Sequence, residues 1–201
     1  SGASNVIIGQ EAGLSNQTGN SNVFIGQWAG RNCTVGGNNF VGIGSGYFTS
    51  TGSDNAFFGR NAGYGNIIGT ENTYLGNSSG LNNRGSYNVA IGFESGMGVV
   101  ANSHSYNVLI GHQSGTSISS GQNNTCIGNK SGDVITTGSY NTLLGANAGG
   151  SGLSTGDRNV FIGYAAGFSE TGSDKLYIEN SGNGSTTALV YGDFSTNILR
   201  F

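Results

Sequence analysis

The chain of 201 residues contains 39 glycines, no proline and only 8% charged residues, with a formal net charge of −3. Glycine without proline excludes collagen, which needs proline-rich Gly-X-Y triplets, and the low net charge is not typical of intrinsic disorder. Seven scattered Lys and Arg residues form no basic surface for nucleic acid, and no apolar run approaches the roughly 18 residues of a membrane span.

The first feature along the chain is the tetrapeptide "SGAS" at residues 1–4. We interpret it as a cloning remnant, because it matches nothing that follows. It contains no signal peptide.

Residues 5–168 repeat one nine-residue motif, typically Asn-(Val/Thr)-apolar-(Ile/Leu)-Gly-x-x-(Ala/Ser)-Gly, in which we number the asparagine as position 1. Successive copies start 16 to 19 residues apart, and glycine stands at positions 5 and 9 of every copy. The ten copies begin at Asn5, Asn22, Asn38, Asn55, Asn72, Asn88, Asn107, Asn124, Asn141 and Asn159.

This period predicts the architecture. About 17 residues are too few for a helical-pair repeat of about 33–47 residues, but they suffice for one coil of a solenoid. Each "NVFIG"-like run predicts a short strand closed by glycine, and the Gly, Ser, Thr and Asn residues between runs predict turns. We therefore expect an all-β fold, a parallel β-solenoid or β-roll of about ten coils.

Stacked coils place equivalent residues next to one another at the strand spacing of about 4.8 Å. The ten leading asparagines are therefore predicted to form a hydrogen-bonded ladder, each amide bonding to the next coil. Cys33 and Cys126 lie five or six coils apart. This separation excludes a disulfide between them, because the Cα atoms of a disulfide lie within about 7 Å.

Two apolar rows run along the predicted sheet, one on each face, because side chains alternate along a strand. We assign the fourth-position row to the coil interior and the third-position row to the axis of a homotrimer, although the two could be exchanged. The alternative is a monomer in which the turns cover the outer row. The predicted interface residues are Ile7, Phe24, Phe40, Phe57, Tyr74, Leu109, Leu143 and Phe161.

The run "YNVAIGFESG" at 87–96 resembles the head repeat of YadA-like trimeric autotransporter adhesins, whose units read approximately Ser-Val-Ala-Ile-Gly with further small residues and glycine. The resemblance covers about residues 5–167. It implies a left-handed parallel β-roll that trimerises through the roll and binds host surfaces. This chain departs from the family in its longer coils and in bulky aromatic residues where the family often has alanine.

Residues 169–201 leave the motif. Strands are predicted at 175–179, 188–191 and 197–201, and we expect this segment to form a C-terminal β cap or connector over the last coil. Similar segments follow such repeats in bacterial and phage tail-fibre-like proteins.

Exposed aromatic residues are the candidates for ligand binding. Tyr87, Tyr106 and Tyr140 each precede the motif asparagine, and the longest insertion, containing His104, lies between the first two. Such rings could stack on sugars, or they could simply pack over turns. Trp28, the sole tryptophan, could be a contact residue or could lie along Gln10 and Glu11.

Candidates for catalysis are weaker. Asp54 and Glu71 occupy the same place on adjacent coils and could hold a cation or act as an acid/base pair, or they could be two solvated turn residues. The two histidines share no repeat position, and no Ser-His-acid pattern is present. We therefore expect no metal, no cofactor and no enzymatic activity.

Together these observations predict an extracellular, cell-surface or phage-like trimeric fibre domain whose partners are its own copies and a glycan or protein receptor. The alternatives are a passive fibre spacer and a polysaccharide-cleaving, tail-spike-like enzyme.

Overall fold

The computed structural model describes residues 2–99, 102–182 and 188–201. These residues form short strands, turns and bends. They contain no helix, and hence no helix long and apolar enough to cross a membrane. The strands are β1 Val6–Ile8, β2 Val23–Ile25, β3 Asn39–Val41, β4 Ala56–Phe58, β5 Thr73–Leu75, β6 Val89–Ile91, β7 Val108–Ile110, β8 Thr125–Ile127, β9 Thr142–Leu144, β10 Val160–Ile162, β11 Lys175–Ile178, β12 Val190–Asp193 and β13 Ile198–Arg200.

The thirteen strands form one sheet in chain order. Strands β1 to β11 pair in parallel, and equivalent motif positions face each other, as Val6 faces Val23 and Ile8 faces Ile25. This confirms the predicted parallel β-solenoid of about ten coils. Each of the strands β1 to β10 is only three residues long, because glycine at position 5 closes it.

The asparagine at position 1 joins each coil to the next, as predicted. The backbone N–H of Asn55 donates to Oδ1 of Asn38 (3.1 Å), and Nδ2 of Asn55 donates to the carbonyl of Gly69 (2.9 Å). The same pattern recurs along the stack through Asn159, whose Oδ1 accepts the N–H of Lys175 (2.9 Å). Because these amides are buried, each unmade bond would leave a desolvated polar group.

The third-position row fills the inside of the coil. Its assignment to a trimer axis was therefore wrong, because these side chains are already buried within one chain. Phe24, Phe40, Phe57 and Tyr74 are fully buried and stack face to face, with centroids 4.7 to 5.3 Å apart. Of the predicted interface residues, all but one are fully buried inside the coils, and the exception, Ile7, is exposed on the first coil: Ile7, Phe24, Phe40, Phe57, Tyr74, Leu109, Leu143 and Phe161.

Two glycines of each coil leave the space that the third-position side chain and the next coil occupy. Glycine at position 9 faces the third-position ring: a Cβ on Gly30 would lie 2.7 Å from the ring of Phe24. Glycine at position 5 faces the next coil: a Cβ on Gly26, whose φ is +132°, would lie 2.6 Å from the carbonyl oxygen of Gly42. Only glycine fits both places, because it has no side chain and tolerates positive φ.

The strand ladder extends one rung beyond the ten motif copies. Leu176, Tyr177 and Ile178 pair with positions 2, 3 and 4 of the tenth copy, although Lys175 replaces the asparagine. Strands β12 and β13 then run antiparallel. The three strands predicted in this segment are therefore present, with bounds shifted by at most two residues.

Both cysteines are free and buried. Burial raises the pKa of the Cys126 thiol to about 12. The thiol therefore stays protonated at neutral pH, and Cys126 packs as a small apolar residue of the core.

Candidate functional site

Two places in each coil lie in the left-handed region of backbone space: the residue before the asparagine, and position 7. The third copy has glycine at both places, Gly37 and Gly44, and the other nine copies have non-glycine residues there. Most occupants are small or polar, such as Ser21, Asn61 and Asn123. Four are bulky aromatics: Trp28 (φ 64°), Tyr87 (φ 63°), Tyr106 (φ 60°) and Tyr140 (φ 62°). This conformation is a genuine outlier for bulky residues, and such strain concentrates at functional sites.

These four aromatic residues are also exposed, and they are four of the five binding candidates that the sequence predicts. A ring that is both strained and exposed contributes little to folding, since it covers no core.

Three of these aromatics share one surface, the tyrosine face (Tyr87, Tyr106 and Tyr140). The rings of Tyr87 and Tyr106 stack in parallel, with centroids 4.9 Å apart and planes 8° apart. Asn123 takes the same place on the next coil, so Tyr140, 62% exposed, lies two coils beyond the stacked pair. The arrangement is one stacked pair rather than a continuous ladder, and each ring of the pair covers one face of the other.

The placement of His104 contradicts its prediction as a surface ligand contact. It is fully buried, because the long insertion folds it into the coil beside Ala90, the smallest residue of the third-position row. Its Nε2 lies 3.3 Å from the carbonyl of Gly96, and its Nδ1 lies 3.2 Å from Nδ2 of Asn107. Burial lowers the pKa of His104 to about 4, opposed by the bond to Gly96. Residues 100 and 101 of the same insertion lie outside the described residues.

A second surface, the Trp28 groove, crosses the second, third and fourth coils. Its volume is about 370 Å³, and it is lined by Trp28, Ile43, Tyr47, Arg60, Asn61 and Tyr64. Small-molecule sites usually occupy about 300–1,000 Å³, so the groove is of a size for one small ligand. The Trp28 ring stands edge-on to Tyr47, with centroids 6.4 Å apart.

The tyrosines of this groove are held in place without any ligand. Tyr47 and Tyr64 stack with centroids 5.0 Å apart, and Phe48 packs edge-on against both, at 4.6 and 5.2 Å. The guanidinium of Arg31 lies 5.6 Å from the Tyr47 centroid, and its Nε donates to Oε2 of Glu11 at 2.7 Å. These contacts fix the walls of the groove before binding, which lowers the entropy cost of binding.

Sequence reasoning missed Tyr47 and Tyr64. Both stand one residue beyond the motif, at position 10, where the chain also carries Leu14, Arg31 and Leu81. The available signal was the recurrence of tyrosine at one repeat position on consecutive coils, the same signal that pointed to Tyr87 and Tyr106.

The carboxylates form no recognisable catalytic or metal site in the part of the chain that the structure describes. Asp54 and Glu71 both occupy the left-handed place before the asparagine, and no hydrogen bond joins their side chains. Over the same ranges, no group of three or more His, Cys, Asp and Glu residues could hold a metal ion.

The outward face of the sheet carries a row of apolar side chains. The fourth-position row lies here, opposite to the predicted side, and every member is exposed or half-buried in the single chain. Its residues are Ile8, Ile25, Val41, Phe58, Leu75, Ile91, Ile110, Ile127, Leu144 and Ile162. The second-position row beside it also contains no charged residue.

Comparisons with family models, with curated proteins and with solved structures gave no match to this chain.

Proposed function

We propose that this chain is part of an extracellular, homotrimeric fibre that recognises a cell-surface glycan and acts without catalysis. The observation that carries the recognition is the set of four bulky aromatics, Trp28, Tyr87, Tyr106 and Tyr140, which are held in left-handed backbone and exposed. Aromatic faces bind sugars through stacking while the tyrosine hydroxyl hydrogen-bonds, so a chain that retains them against backbone strain has a use for them.

The trimer rests on the fourth-position row. Its side chains repeat at the strand spacing of about 4.8 Å along the whole stack, with no charge in the row. Monomers rarely expose contiguous apolar patches larger than a few hundred Å², and larger ones mark interaction sites. Another copy of the chain presents the same side chains at the same spacing, so copies can cover one another around a common axis. The three-fold order follows the resemblance of "YNVAIGFESG" to YadA-like head repeats.

The C-terminal strands are proposed to end the stack. An antiparallel pair such as β12 and β13 cannot continue the parallel ladder, and Lys175 Nζ lies 2.7 Å from Oδ2 of Asp193, which joins the last parallel strand to the first antiparallel one. These strands therefore cover the open edge of the solenoid.

A glycan array with the unmodified chain tests recognition directly. The variants are Trp28→Asn and the pair Tyr87→Asn with Tyr106→Asn, because asparagine already occupies both repeat positions at Asn61 and Asn123. We expect saturable binding by the unmodified chain that at least one variant abolishes. Absence of any glycan binding would favour the passive spacer, which the uninterrupted strand ladder also fits.

A further inference from the structure

We infer that the Trp28 groove (Trp28, Ile43, Tyr47, Arg60, Asn61 and Tyr64) binds an acidic saccharide, whose sugar ring lies against the aromatic walls and whose carboxylate or sulfate pairs with Arg60. This inference rests on the proposed function and specifies its ligand class. It concerns a surface that the tyrosine face does not share.

The wall chemistry favours a sugar ring. Tyr47 and Tyr64 present stacked rings, and Trp28 stands nearly perpendicular to Tyr47, at 87°. The amphipathic rings give a sugar both an apolar face and a hydrogen-bonding hydroxyl. Asn61 adds an amide at the same wall, and an amide supplies both donors and an acceptor.

The charge of the groove favours an acid. Three ion pairs occur among residues 2–99, 102–182 and 188–201; they join Arg31 to Glu11, Arg158 to Asp174 and Lys175 to Asp193. Arg60 belongs to none of them and is exposed at the groove. A guanidinium binds carboxylate or sulfate-like oxygens through two parallel N–H donors, so Arg60 is available for an anionic group of a ligand.

The position of Trp28 favours a binding role over a packing role. Position 7 of the other copies holds Glu11, Gly44, Asn61, Ser78, Glu94, Gln113, Lys130, Asn147 and Ala165. None of these is aromatic, and all have the same positive φ. A coil therefore forms without an aromatic ring at this position, and the fold does not require a tryptophan there.

Trp28 also supplies the readout, because it is the only tryptophan and its fluorescence reports on the groove alone. The probes are a hyaluronan tetrasaccharide, which carries carboxylates without sulfate, a keratan sulfate tetrasaccharide, which carries sulfates without carboxylate, and neutral cellotetraose. The test variant is Arg60→Gln, since Gln10 and Gln27 occupy the same repeat position. The control is Lys130→Gln, which removes an exposed positive charge from a coil distant from the groove. Gln113, at the same repeat position of the neighbouring coil, shows that glutamine fits there.

We expect one or both acidic probes to shift the Trp28 emission saturably, and cellotetraose to do so at least ten-fold more weakly. Arg60→Gln should weaken acidic binding by about ten-fold or more, as loss of a charged hydrogen bond does, whereas Lys130→Gln should leave it within two-fold. Response to hyaluronan alone assigns the carboxylate, and response to keratan sulfate alone assigns the sulfate.

Equal binding of cellotetraose, or an unchanged affinity in Arg60→Gln, would overturn the acidic ligand while leaving glycan recognition standing. Glycan binding on the array with no response of Trp28 would overturn the groove as the site. A change in the mass of the chain in solution on Arg60→Gln would identify the groove as a contact between copies and would also overturn the inference.

Discussion

The third-position and fourth-position rows stand side by side on the same strands and are both apolar, yet they lie in opposite environments. Phe57 is fully buried between stacked rings, whereas its neighbour Phe58 is 41% exposed. The inner row fills the core of a single coil stack. The outer row lies outside that core, so the core does not explain why it is apolar; the proposed assembly of copies would explain it.

The largest expected effect is the loss of stability when a ring of the inner row is removed. Phe57→Ala removes a ring from the closed stack and should cost about 3–5 kcal/mol, as buried Phe→Ala changes do. That loss lowers the melting temperature by roughly 10 °C for a chain of this size. Thermal unfolding followed by circular dichroism measures it.

Phe58→Ala is the matched control, since it removes the same ring one residue along the strand. In a single chain apart from its copies, we expect Phe58→Ala to lower the free energy of unfolding by less than about half as much as Phe57→Ala, because the Phe58 ring is already partly in water. Equal losses from the two variants would contradict the assignment of inside and outside.

The second largest effect is the dependence of stability on pH, because the buried side chain of His104 resists protonation. His104 is buried with a pKa of about 4, below its ordinary value of 6.5, so the folded chain binds fewer protons than the unfolded chain. Stability is therefore full above about pH 6.5 and falls as the pH drops towards 4, by about 3 kcal/mol at most. Denaturant unfolding at a series of pH values measures this slope.

His104→Leu provides the comparison, because leucine cannot take up a proton. Whatever its stability at pH 7, we expect the slope between pH 6.5 and 4 to flatten in this variant. An unchanged slope would mean that His104 is not the titrating group.

The smallest effect belongs to the strained aromatics on the surface. Trp28→Asn replaces a bulky residue at a φ of 64° with one that favours this region, as Asn61 and Asn147 do at the same position. We expect the melting temperature to stay the same or to rise by a few degrees, corresponding to relief of about 1 kcal/mol of backbone strain. Loss of several degrees would show that Trp28 packs for stability.

Much of the fold could be predicted from the sequence because its signals are local and repeated. The period, the strands and the asparagine ladder all follow from residues that recur in register. The inside and outside of the coil could not be told from alternation, because Phe24 and Ile25 are both apolar. The deciding contact is between Gly30 and the Phe24 ring, which lie on different sides of a turn.

Two signals in the sequence pointed to the candidate sites: tyrosine recurs before the motif asparagine at Tyr87, Tyr106 and Tyr140, and Trp28 is the sole tryptophan. Tyr47 and Tyr64 also recur at one repeat position, but they line a groove with Trp28 only when three coils are stacked. His104 shows the opposite case: an insertion that suggested a surface loop places its histidine inside the coil, in the same region as Ala90, the smallest residue of the third-position row.

The mass of the chain in solution tests most directly the claim that copies cover the fourth-position row. Light scattering should give three times the 20.4 kDa of one chain, and the double variant Ile110→Glu with Ile127→Glu should give a folded chain of lower mass, because it places two charges in that row. Gln122→Glu, which adds a charge on an exposed turn, should leave the mass unchanged. A mass of 20.4 kDa for the unmodified chain at micromolar concentration would contradict the account.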